Sequence, residues 1–456
     1  MEQDALAHGL PAETRPHRDP EDPERADRHD RYRPSVTPGQ PPAAVRIART
    51  NLTTVMIAPV HAESPSAPPA GSSPGERELQ ALTLPPGPEL FRAVAAALDG
   101  DGPAVLPLSP GLPAPALRAT LEALRPTRLD GVRQAGGVGV PAEVAVVIAT
   151  SGTTGVPKGV QLSAAALRAS AAASLERLAA RPGERWLCCL PPSHVSGLQV
   201  LVRSLLGGTE PIIHDGFSPE AVLGSGASHV SLVPTQLRRL LAVSADLSAF
   251  RTILLGGAAA PPDLLAAARA AGARVVTTYG MSETCGGCVY DGHPLYKVDL
   301  KIGDDGRIRI AGPVLFSGYR LRPDLTAAAR EDGWFVTSDL GAFDGDRLRV
   351  LGRADDVINT GGQKVVAAAV AEVVAGHPAV ADAVVVGRPD PEWGERVVAV
   401  VVSPDPPSLA ELRAFVKERL PAYAAPAELV LVTEIPLLAN GKPDLAALRY
   451  GRIREP

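Results

Sequence analysis

The chain has 456 residues, of which 45% are hydrophobic, and its formal net charge is −5. This length exceeds one ordinary domain, and the apolar content is enough to form substantial cores, so we expect two or more domains. The small net charge and the lack of a basic run argue against a nucleic-acid or membrane-surface partner. No apolar stretch of about 18 residues predicts a membrane span, and no signal-peptide core is evident, so we expect a cytoplasmic protein acting on small molecules.

Three regions follow one another along the chain. Residues 1–77 carry prolines and mixed charges with little periodic apolar content, which is typical of a disordered extension. In residues 78–352 short apolar runs alternate with helical patterns, which predicts a large α/β domain with parallel-type sheets flanked by helices. Residues 353–456 change pattern and predict a small α+β domain. The expected strands lie at 104–108, 144–149, 186–190, 229–233, 252–255, 275–278, 383–386 and 397–402, and helices at 367–375 and 409–420.

A loop rich in glycine and hydroxyl groups follows the expected strand 144–149. It consists of Thr150, Ser151, Gly152, Thr153, Thr154 and Gly155, and Lys158 stands shortly after it. Ser163 is a candidate N-cap for a helix to about Arg181, so the loop is expected to join a strand to a helix. Backbone N–H groups, hydroxyls and one lysine in such a loop suit a polyphosphate. Because Gly159 follows Lys158, the spacing excludes a Walker A loop.

Four further motifs follow this loop in chain order, at Tyr279–Thr284, Trp334–Gly341, Gly352–Asp356 and Asn440–Lys442. All five together resemble the adenylate-forming superfamily, which includes acyl-CoA synthetases, nonribosomal adenylation domains and luciferases. The resemblance extends from about residue 80 to the C-terminus. It implies an enzyme with a large and a small domain that activates a carboxylate with ATP and Mg²⁺ and releases pyrophosphate.

The resemblance also implies how ATP is held. The segment Thr150–Lys158 would surround the β- and γ-phosphates, and Tyr279 would lie against adenine. The remaining implied contacts are an adenine-contacting turn of Gly256, Gly257 and Ala258, a hydrogen bond from Ser282 to the α-phosphate, Mg²⁺ binding by Glu283, and ribose binding by Asp339 and Arg353. Carboxylate oxygens suit Mg²⁺, and Asp acceptors suit ribose hydroxyls.

The resemblance implies roles for two further residues, one in catalysis and one in domain motion. Lys442 would be the catalytic lysine, because a point cation can stabilise charge that develops on the α-phosphate. Asp355 stands where the family has its hinge between the two domains. Motion about Asp355 would withdraw Lys442 and admit a thiol to the acyl adenylate.

Four segments carry a closer resemblance, to the o-succinylbenzoate–CoA ligases of menaquinone synthesis. They are Leu190–Gln199, Leu232–Leu237, Gly256–Ala259 and Cys288–Gly292. The resemblance implies coenzyme A as co-substrate and an acid with two carboxylates. Arg203 would meet the second carboxylate, with His194 and Ser196 lining the acyl pocket.

One departure from that family concerns the start of the small domain. Many relatives have a proline and two glutamates where this chain has Ala367, Ala369 and Ala371. The change puts domain docking in question, but alanine is a good helix former, so the helix should survive.

Other interpretations stay open at this stage. One is a different aryl- or acyl-CoA ligase, or a stand-alone adenylation protein that loads a carrier thiol. Another is a degenerate nucleotide-binding protein, which the retention of Glu283, Asp339, Arg353 and Lys442 together disfavours. The cysteines at 188, 189, 285 and 288 are read as reduced structural thiols rather than zinc ligands. A homodimer is compatible with the sequence.

Overall fold

The computed structural model describes residues 75–151, 156–437 and 443–451. The predicted extension 1–77 therefore lies outside the described residues except for its last three positions. In the described part, the strands are β1 (Glu76–Arg77), β2 (Leu79–Leu82), β3 (Ala104–Pro107), β4 (Arg128–Leu129), β5 (Val132–Arg133), β6 (Val140–Pro141), β7 (Val144–Ser151), β8 (Pro157–Ser163), β9 (Trp186–Cys188), β10 (Ile212–Ile213), β11 (His229–Leu232), β12 (Thr252–Leu255), β13 (Val275–Met281), β14 (Gly286–Tyr290), β15 (His293–Pro294), β16 (Asp299–Ile302), β17 (Arg307–Ala311), β18 (Gly318–Tyr319), β19 (Arg330–Glu331), β20 (Trp334–Asp344), β21 (Arg347–Arg353), β22 (Val357–Thr360), β23 (Gln363–Val366), β24 (Asp382–Asp390), β25 (Gly394–Val402) and β26 (Glu428–Leu431).

The helices of the described residues alternate with these strands. They are α1 (Pro88–Asp99), α2 (Ala114–Leu124), α3 (Ala164–Leu178), α4 (Val195–Leu206), α5 (Pro219–Leu223), α6 (Pro234–Ala242), α7 (Pro262–Ala270), α8 (Pro323–Ala328), α9 (Ala367–Ala375), α10 (Leu409–Lys417) and α11 (Leu445–Arg449). None of them is long and apolar enough to cross a bilayer.

Two seven-stranded mixed sheets dominate the large N-terminal domain. One has the order β18-β8-β7-β3-β2-β4-β5 and the other the order β10-β9-β11-β12-β13-β14-β15. Strands β7, β3, β2 and β4 are mutually parallel, as are β10, β9, β11, β12 and β13. Buried side chains of α1, α3 and α4 join the strands in one core. The prediction of parallel-type sheets flanked by helices is confirmed.

The surroundings of the glycine- and hydroxyl-rich loop differ from the prediction. The loop joins β7 to the antiparallel strand β8, with Thr150 opposite Lys158, so the predicted strand-to-helix connection is wrong. Alternate residues Val160 and Leu162 of β8 are buried, which is the period of a strand. The helix starts only after β8, where Ser163 Oγ accepts a hydrogen bond from Ala166 N at 3.1 Å, as an N-cap does.

A third sheet, not anticipated by the alternating pattern, follows between residues 299 and 353. Its five strands are antiparallel, in the order β16-β17-β20-β19, with β21 paired to β20. Sequence-adjacent strands joined by short turns form such sheets without crossover helices. The pairing sets Asp339 directly opposite Arg353.

The small C-terminal domain is built on a fourth large sheet, ordered β23-β22-β25-β24 with β26 beside β25. Its core contains Val370 of α9 and Leu412 and Val416 of α10. The helix α9 occupies the predicted residues 367–375, so the prediction that it survives the alanine substitutions is confirmed. Ala367 is buried in this core and Ala371 packs against it, whereas Ala369 is half-buried.

Candidate functional site

Two neighbouring parallel strands end at the same edge of the second seven-stranded sheet. The strand β12 leads into Gly256, and β13 carries Tyr279 near its end. A Cβ at Gly256 would lie 2.4 Å from Thr278 Oγ1, so a larger residue would force the Thr278 side chain to move. Gly257 has a φ of +83°, which also favours glycine. The edge where parallel strands end is where open α/β sheets bind ligands.

A cavity of about 270 Å³ opens beside this turn. Its lining includes Ala258, Thr278, Tyr279, Leu348 and Val350. Apolar walls next to an aromatic ring suit a flat heterocycle such as a base. The cavity thus brings together the residues predicted to contact adenine, Tyr279 and the turn ending at Ala258.

The predicted ribose-binding pair lies next to Tyr279. The Tyr279 hydroxyl donates a hydrogen bond of 2.8 Å to Asp339 Oδ2. Arg353 Nη1 lies 3.5 Å from Asp339 Oδ1. Thr337 Oγ1 accepts from the Asp339 backbone N–H and donates to the Ile308 carbonyl, which holds the strand in place. Burial and the Asp339 carboxylate both raise the pKa of Tyr279, so its hydroxyl stays a donor at neutral pH.

Arg353 also contacts the predicted hinge residue, Asp355. Its Nη2 lies 3.0 Å from Asp355 Oδ2, and its Nε lies 4.0 Å from Asp356 Oδ2. Burial lowers the pKa of Arg353, but Asp339, Asp355 and Asp356 outweigh this effect, so the net shift of the pKa is upward. The pKa of Asp356 is raised because its burial outweighs the attraction of Arg353 and Arg449.

The turn after Tyr279 presents Ser282 and Glu283. It is a single 3₁₀ turn, Ser282–Thr284, and the buried Thr284 hydroxyl fixes it by accepting from Met281 N at 2.9 Å and donating to Gly286 O at 2.7 Å. A Cβ at Gly280 would lie 2.0 Å from the Gly286 carbonyl oxygen, so glycine is required there as well. The turn leaves Ser282 and Glu283 half-buried.

Tyr319, which the sequence reasoning missed, contacts both Glu283 and Lys158. The Tyr319 hydroxyl donates to Glu283 Oε1 at 2.8 Å, and Lys158 Nζ lies 5.0 Å from the centre of the Tyr319 ring. Burial and the Glu283 charge raise the pKa of Tyr319. The donor set fits Mg²⁺ with a phosphate, because it offers a hard carboxylate ligand for the metal and a cation for phosphate oxygens.

The predicted acid-binding residues lie on or next to α4. His194 is the N-cap residue of this helix, and Ser196 is exposed in its first turn. Arg203 is different, since it is only 5% exposed. Its guanidinium stacks on Trp186, with Cζ 4.3 Å from the ring centre, and its Nη2 donates to Ser231 Oγ at 2.9 Å. Burial lowers the pKa of Arg203, and Tyr290 and Cys188 offset this only in part.

Gln199 is a further candidate that the sequence reasoning missed. It is only 2% exposed. Neither its amide nitrogen nor its amide oxygen has a hydrogen-bond partner among the described residues. Arg203 Nε also lacks a partner among them. Gln199 and Arg203 lie one helical turn apart, with Ser196 on the same face. The helical spacing of Ser196, Gln199 and Arg203 was the signal in the sequence that could have identified Gln199. Buried polar groups without partners are costly, so this face of α4 suits a polar ligand.

Several predicted residues lie outside the described part of the chain. They are Gly152, Thr153, Thr154 and Gly155 in the loop and Lys442 near the C-terminus. Thr150, Ser151 and Lys158 are on the strands that flank the loop. The four cysteines are free and buried, and burial raises the pKa of Cys188 and Cys288 to about 12, so their thiols stay protonated at neutral pH.

Known families match both parts of the chain. The AMP-binding enzyme family matches residues 136–320, and the AMP-binding enzyme C-terminal domain matches residues 369–442. A probable 2-succinylbenzoate–CoA ligase of Mycobacterium tuberculosis is 48% identical over 326 residues, covering 67% of this chain and 84% of that protein. The 2-succinylbenzoate–CoA ligase of Bacillus subtilis is 37% identical over 325 residues, covering 65% of this chain and 67% of that protein.

Solved structures of an o-succinylbenzoate CoA synthetase are similar to this chain as well. The o-succinylbenzoate CoA synthetase (MenE) from Bacillus subtilis in complex with its acyl-adenylate intermediate superposes with a TM-score of 0.73 at 31% identity. That match covers 83% of this chain and 89% of the other. The same Bacillus enzyme in complex with ATP and magnesium ion has a TM-score of 0.72 at 31% identity, covering 81% of this chain and 89% of the other.

Proposed function

Because this chain belongs to the AMP-binding, adenylate-forming enzymes and, among them, to the 2-succinylbenzoate–CoA ligases, we propose that it joins o-succinylbenzoate to CoA with ATP. The reaction has two steps. ATP first converts the acid to an acyl adenylate and releases pyrophosphate, and CoA then displaces AMP to give o-succinylbenzoyl-CoA. The observation that carries the proposal is the direct contact of Tyr279 with Asp339, next to Arg353 and to the turn that presents Glu283.

The adenosine part of ATP would occupy the cavity beside Tyr279. Ala258 and Val350 offer apolar contact for the base. Asp339 would accept hydrogen bonds from the ribose hydroxyls while keeping its bond from Tyr279, since each carboxylate oxygen has two acceptor sites. Arg353 would donate to the same sugar. Asp339 and Arg353 then act as one unit because they are cross-strand partners.

The phosphates would extend from Ser282 toward Lys158. Glu283 would hold Mg²⁺, which when bound neutralises phosphate charge and orients the phosphate oxygens. In the first step a carboxylate oxygen of the acid attacks the α-phosphorus, and the bond from that phosphorus to the bridging oxygen breaks. Lys158 and the loop before it would hold the leaving pyrophosphate. Positive charge and donors fixed in advance lower the barrier because they need no reorganisation.

The acid would lie along the polar face of α4. Its succinyl carboxylate would point to the nucleotide, past His194 and Ser196, and its ring carboxylate would point to Gln199 and Arg203. A carboxylate there would pair with a buried guanidinium whose charge is otherwise poorly compensated. It would also accept from the Gln199 amide, which has no partner among the described residues.

The second step requires access for a thiol. The CoA sulfur would attack the acyl carbon, the bond from that carbon to the AMP oxygen would break, and the thiol proton would pass to solvent. We propose that residues 78–352 and 353–456 act as the large and small domains of this cycle, with Asp355 as the hinge. The ion pair from Arg353 to Asp355 would have to adjust when the small domain rotates. A cytoplasmic location, where ATP and CoA are available, is part of the proposal.

The experiment that tests the proposed function is ATP–pyrophosphate exchange by the full chain with and without acid. We expect exchange that depends on o-succinylbenzoate and, after CoA is added, formation of the CoA thioester and AMP. Chromatography of the nucleotide and thioester products distinguishes the alternatives. Exchange without a CoA thioester would favour loading of a carrier thiol, activity only with other acids would favour a different ligase, and production of ADP would refute the mechanism.

Replacement of Asp339 by alanine should weaken ATP binding. Hydrogen bonds to a charged group contribute about 1.5–3 kcal/mol, so we expect a loss of roughly 10- to 100-fold in ATP affinity with little change in the acid KM. Isothermal titration with ATP measures the affinity, and steady-state exchange gives the acid KM. Asp346→Ala, whose side chain is 83% exposed, is the control. Unchanged ATP affinity of Asp339→Ala would remove Asp339 from the nucleotide site.

A further inference from the structure

Tyr319 touches two candidate site residues that come from different motifs. It lies in β18, which pairs with β8, the strand that carries Lys158. Its hydroxyl donates to Glu283 Oε1 at 2.8 Å. The Lys158 ammonium lies over its ring, 5.0 Å from the centre, within the range of a cation–π contact. One side chain therefore connects the predicted metal ligand to the predicted phosphate-binding lysine.

The backbone that carries Tyr319 is held on both sides. Tyr319 N donates to Thr326 Oγ1 at 2.8 Å, and Arg320 N donates to Gly159 O at 2.8 Å. A Cβ at Gly159 would lie 3.2 Å from Arg320 Cβ, so β8 approaches the segment that carries Tyr319 closely there. Phe316 packs against the Tyr319 ring with 4.9 Å between ring centres. The ring has little freedom to turn away from Glu283.

Arg320 anchors the same segment from inside the large domain. It is 2% exposed, and its guanidinium donates to four backbone carbonyl groups, those of Leu124, Arg125, Val138 and Gly139. Burial lowers the pKa of Arg320 to about 10, which still leaves it charged at neutral pH. A buried cation satisfied by fixed carbonyl groups resists displacement, because any movement would leave it without partners.

These contacts have a consequence for metal binding. A half-buried glutamate on a one-turn helix can adopt several rotamers, and ordering it costs conformational entropy. The Tyr319 hydroxyl binds one carboxylate oxygen and leaves the other available to a cation. Because the orienting group is itself fixed, the carboxylate is held ready before the metal arrives.

We infer that Tyr319 is a positioning residue for adenylation, whose hydroxyl orients Glu283 toward Mg²⁺ and whose ring positions Lys158 toward the phosphates of ATP. The inference rests on the proposed function, since it assumes that Glu283 and Lys158 serve MgATP. It assigns separate tasks to the two parts of one side chain, so two substitutions can separate them.

The test compares Tyr319→Phe with Tyr319→Leu. Tyr319→Phe keeps the ring and loses the hydroxyl, so it should weaken Mn²⁺ binding in the presence of ATP by about 10- to 100-fold, the usual effect of removing a group that orients a metal ligand. Metal-free ATP should bind it as tightly as the unsubstituted protein. Tyr319→Leu should weaken metal-free ATP binding as well, because Lys158 loses its ring contact. Paramagnetic resonance measures Mn²⁺ binding, and isothermal titration measures ATP binding.

A second readout uses activity and separates KM from kcat. Raising Mg²⁺ should restore the exchange rate of Tyr319→Phe nearly to normal, whereas Tyr296→Phe, an exposed control at 64%, should need no extra metal. Normal Mn²⁺ affinity in Tyr319→Phe would overturn the inference. If the unsubstituted protein lacks acid-dependent exchange, the proposed function fails while the Mn²⁺ measurement still decides the role of Tyr319. Thermal melting checks folding, and Tyr319→Phe alone decides if Tyr319→Leu does not fold.

Discussion

The largest loss of activity is expected for Lys442→Ala, which should slow adenylation by roughly 10²- to 10³-fold, the usual effect of removing one group that stabilises developing charge. Lys442 lies outside the described residues, and its role is proposed from the Asn440–Lys442 motif. A cation that acts on the phosphoryl oxygens stabilises the transition state more than the bound acid, so kcat should fall more than the substrate affinities. Rapid-quench measurement of acyl-adenylate formation gives the rate.

The second half-reaction provides the internal control for Lys442. Transfer to CoA from a supplied o-succinylbenzoyl adenylate should proceed at nearly the normal rate, because no phosphoryl group reacts in that step. Lys417→Ala, which removes an exposed lysine of the same domain in α10, should leave both rates unchanged. An equal loss of both half-reactions in Lys442→Ala would contradict the proposed role.

The second large effect is expected for Arg203→Met, which should raise the KM for o-succinylbenzoate by about 10- to 100-fold, equivalent to the 1.5–3 kcal/mol of a hydrogen bond to a charged group. Methionine keeps most of the volume beside Trp186 and removes a buried charge, so the fold should not be weakened. The ATP KM should change little, because Arg203 contacts Trp186 and Ser231, which are not among the residues proposed to bind the nucleotide. Steady-state pyrophosphate release measures both constants.

A matched acid makes the Arg203 test specific. The acid 4-oxo-4-phenylbutanoate has the same succinyl arm and lacks the ring carboxylate. The unsubstituted protein should prefer o-succinylbenzoate strongly, and Arg203→Met should lose most of this preference, which isolates the pairing of guanidinium and ring carboxylate. Arg239→Met, at an exposed position of α6, is the control. If Arg203→Met retains the full preference, Arg203 only supports the fold through Trp186 and Ser231.

Local sequence was enough to predict much of the fold. The strand 252–255 and the helix 367–375 have the predicted limits, because a continuous apolar run and a run of good helix formers are local signals. Ser163 is an N-cap as predicted, although the strand β8 comes directly before the helix that Ser163 caps. The connection after Thr150 was predicted wrongly, because antiparallel pairing of β7 with β8 depends on hydrogen bonds between strands.

In the candidate site too, local sequence predicted some features and only the tertiary structure showed the others. The five motifs and their order identified the superfamily and named Tyr279, Glu283 and Asp339, since those residue types carry recognisable chemistry in short segments. Their mutual contacts depend on partners far away in the chain. Tyr319 belonged to no motif used in the sequence reasoning, and only the pairing of β18 with β8 brings it to Glu283 and Lys158.

By itself the sequence predicted an adenylate-forming ligase, because its short motifs carry residue types that suit phosphate, metal and ribose. The tertiary structure alone decided that Arg203 is buried against Trp186, that Gln199 has no partner among the described residues, and that Arg353 stands opposite Asp339. The physical reason is that burial and strand register arise from contacts between distant segments. A single side chain looks the same in sequence whether it faces solvent or a core.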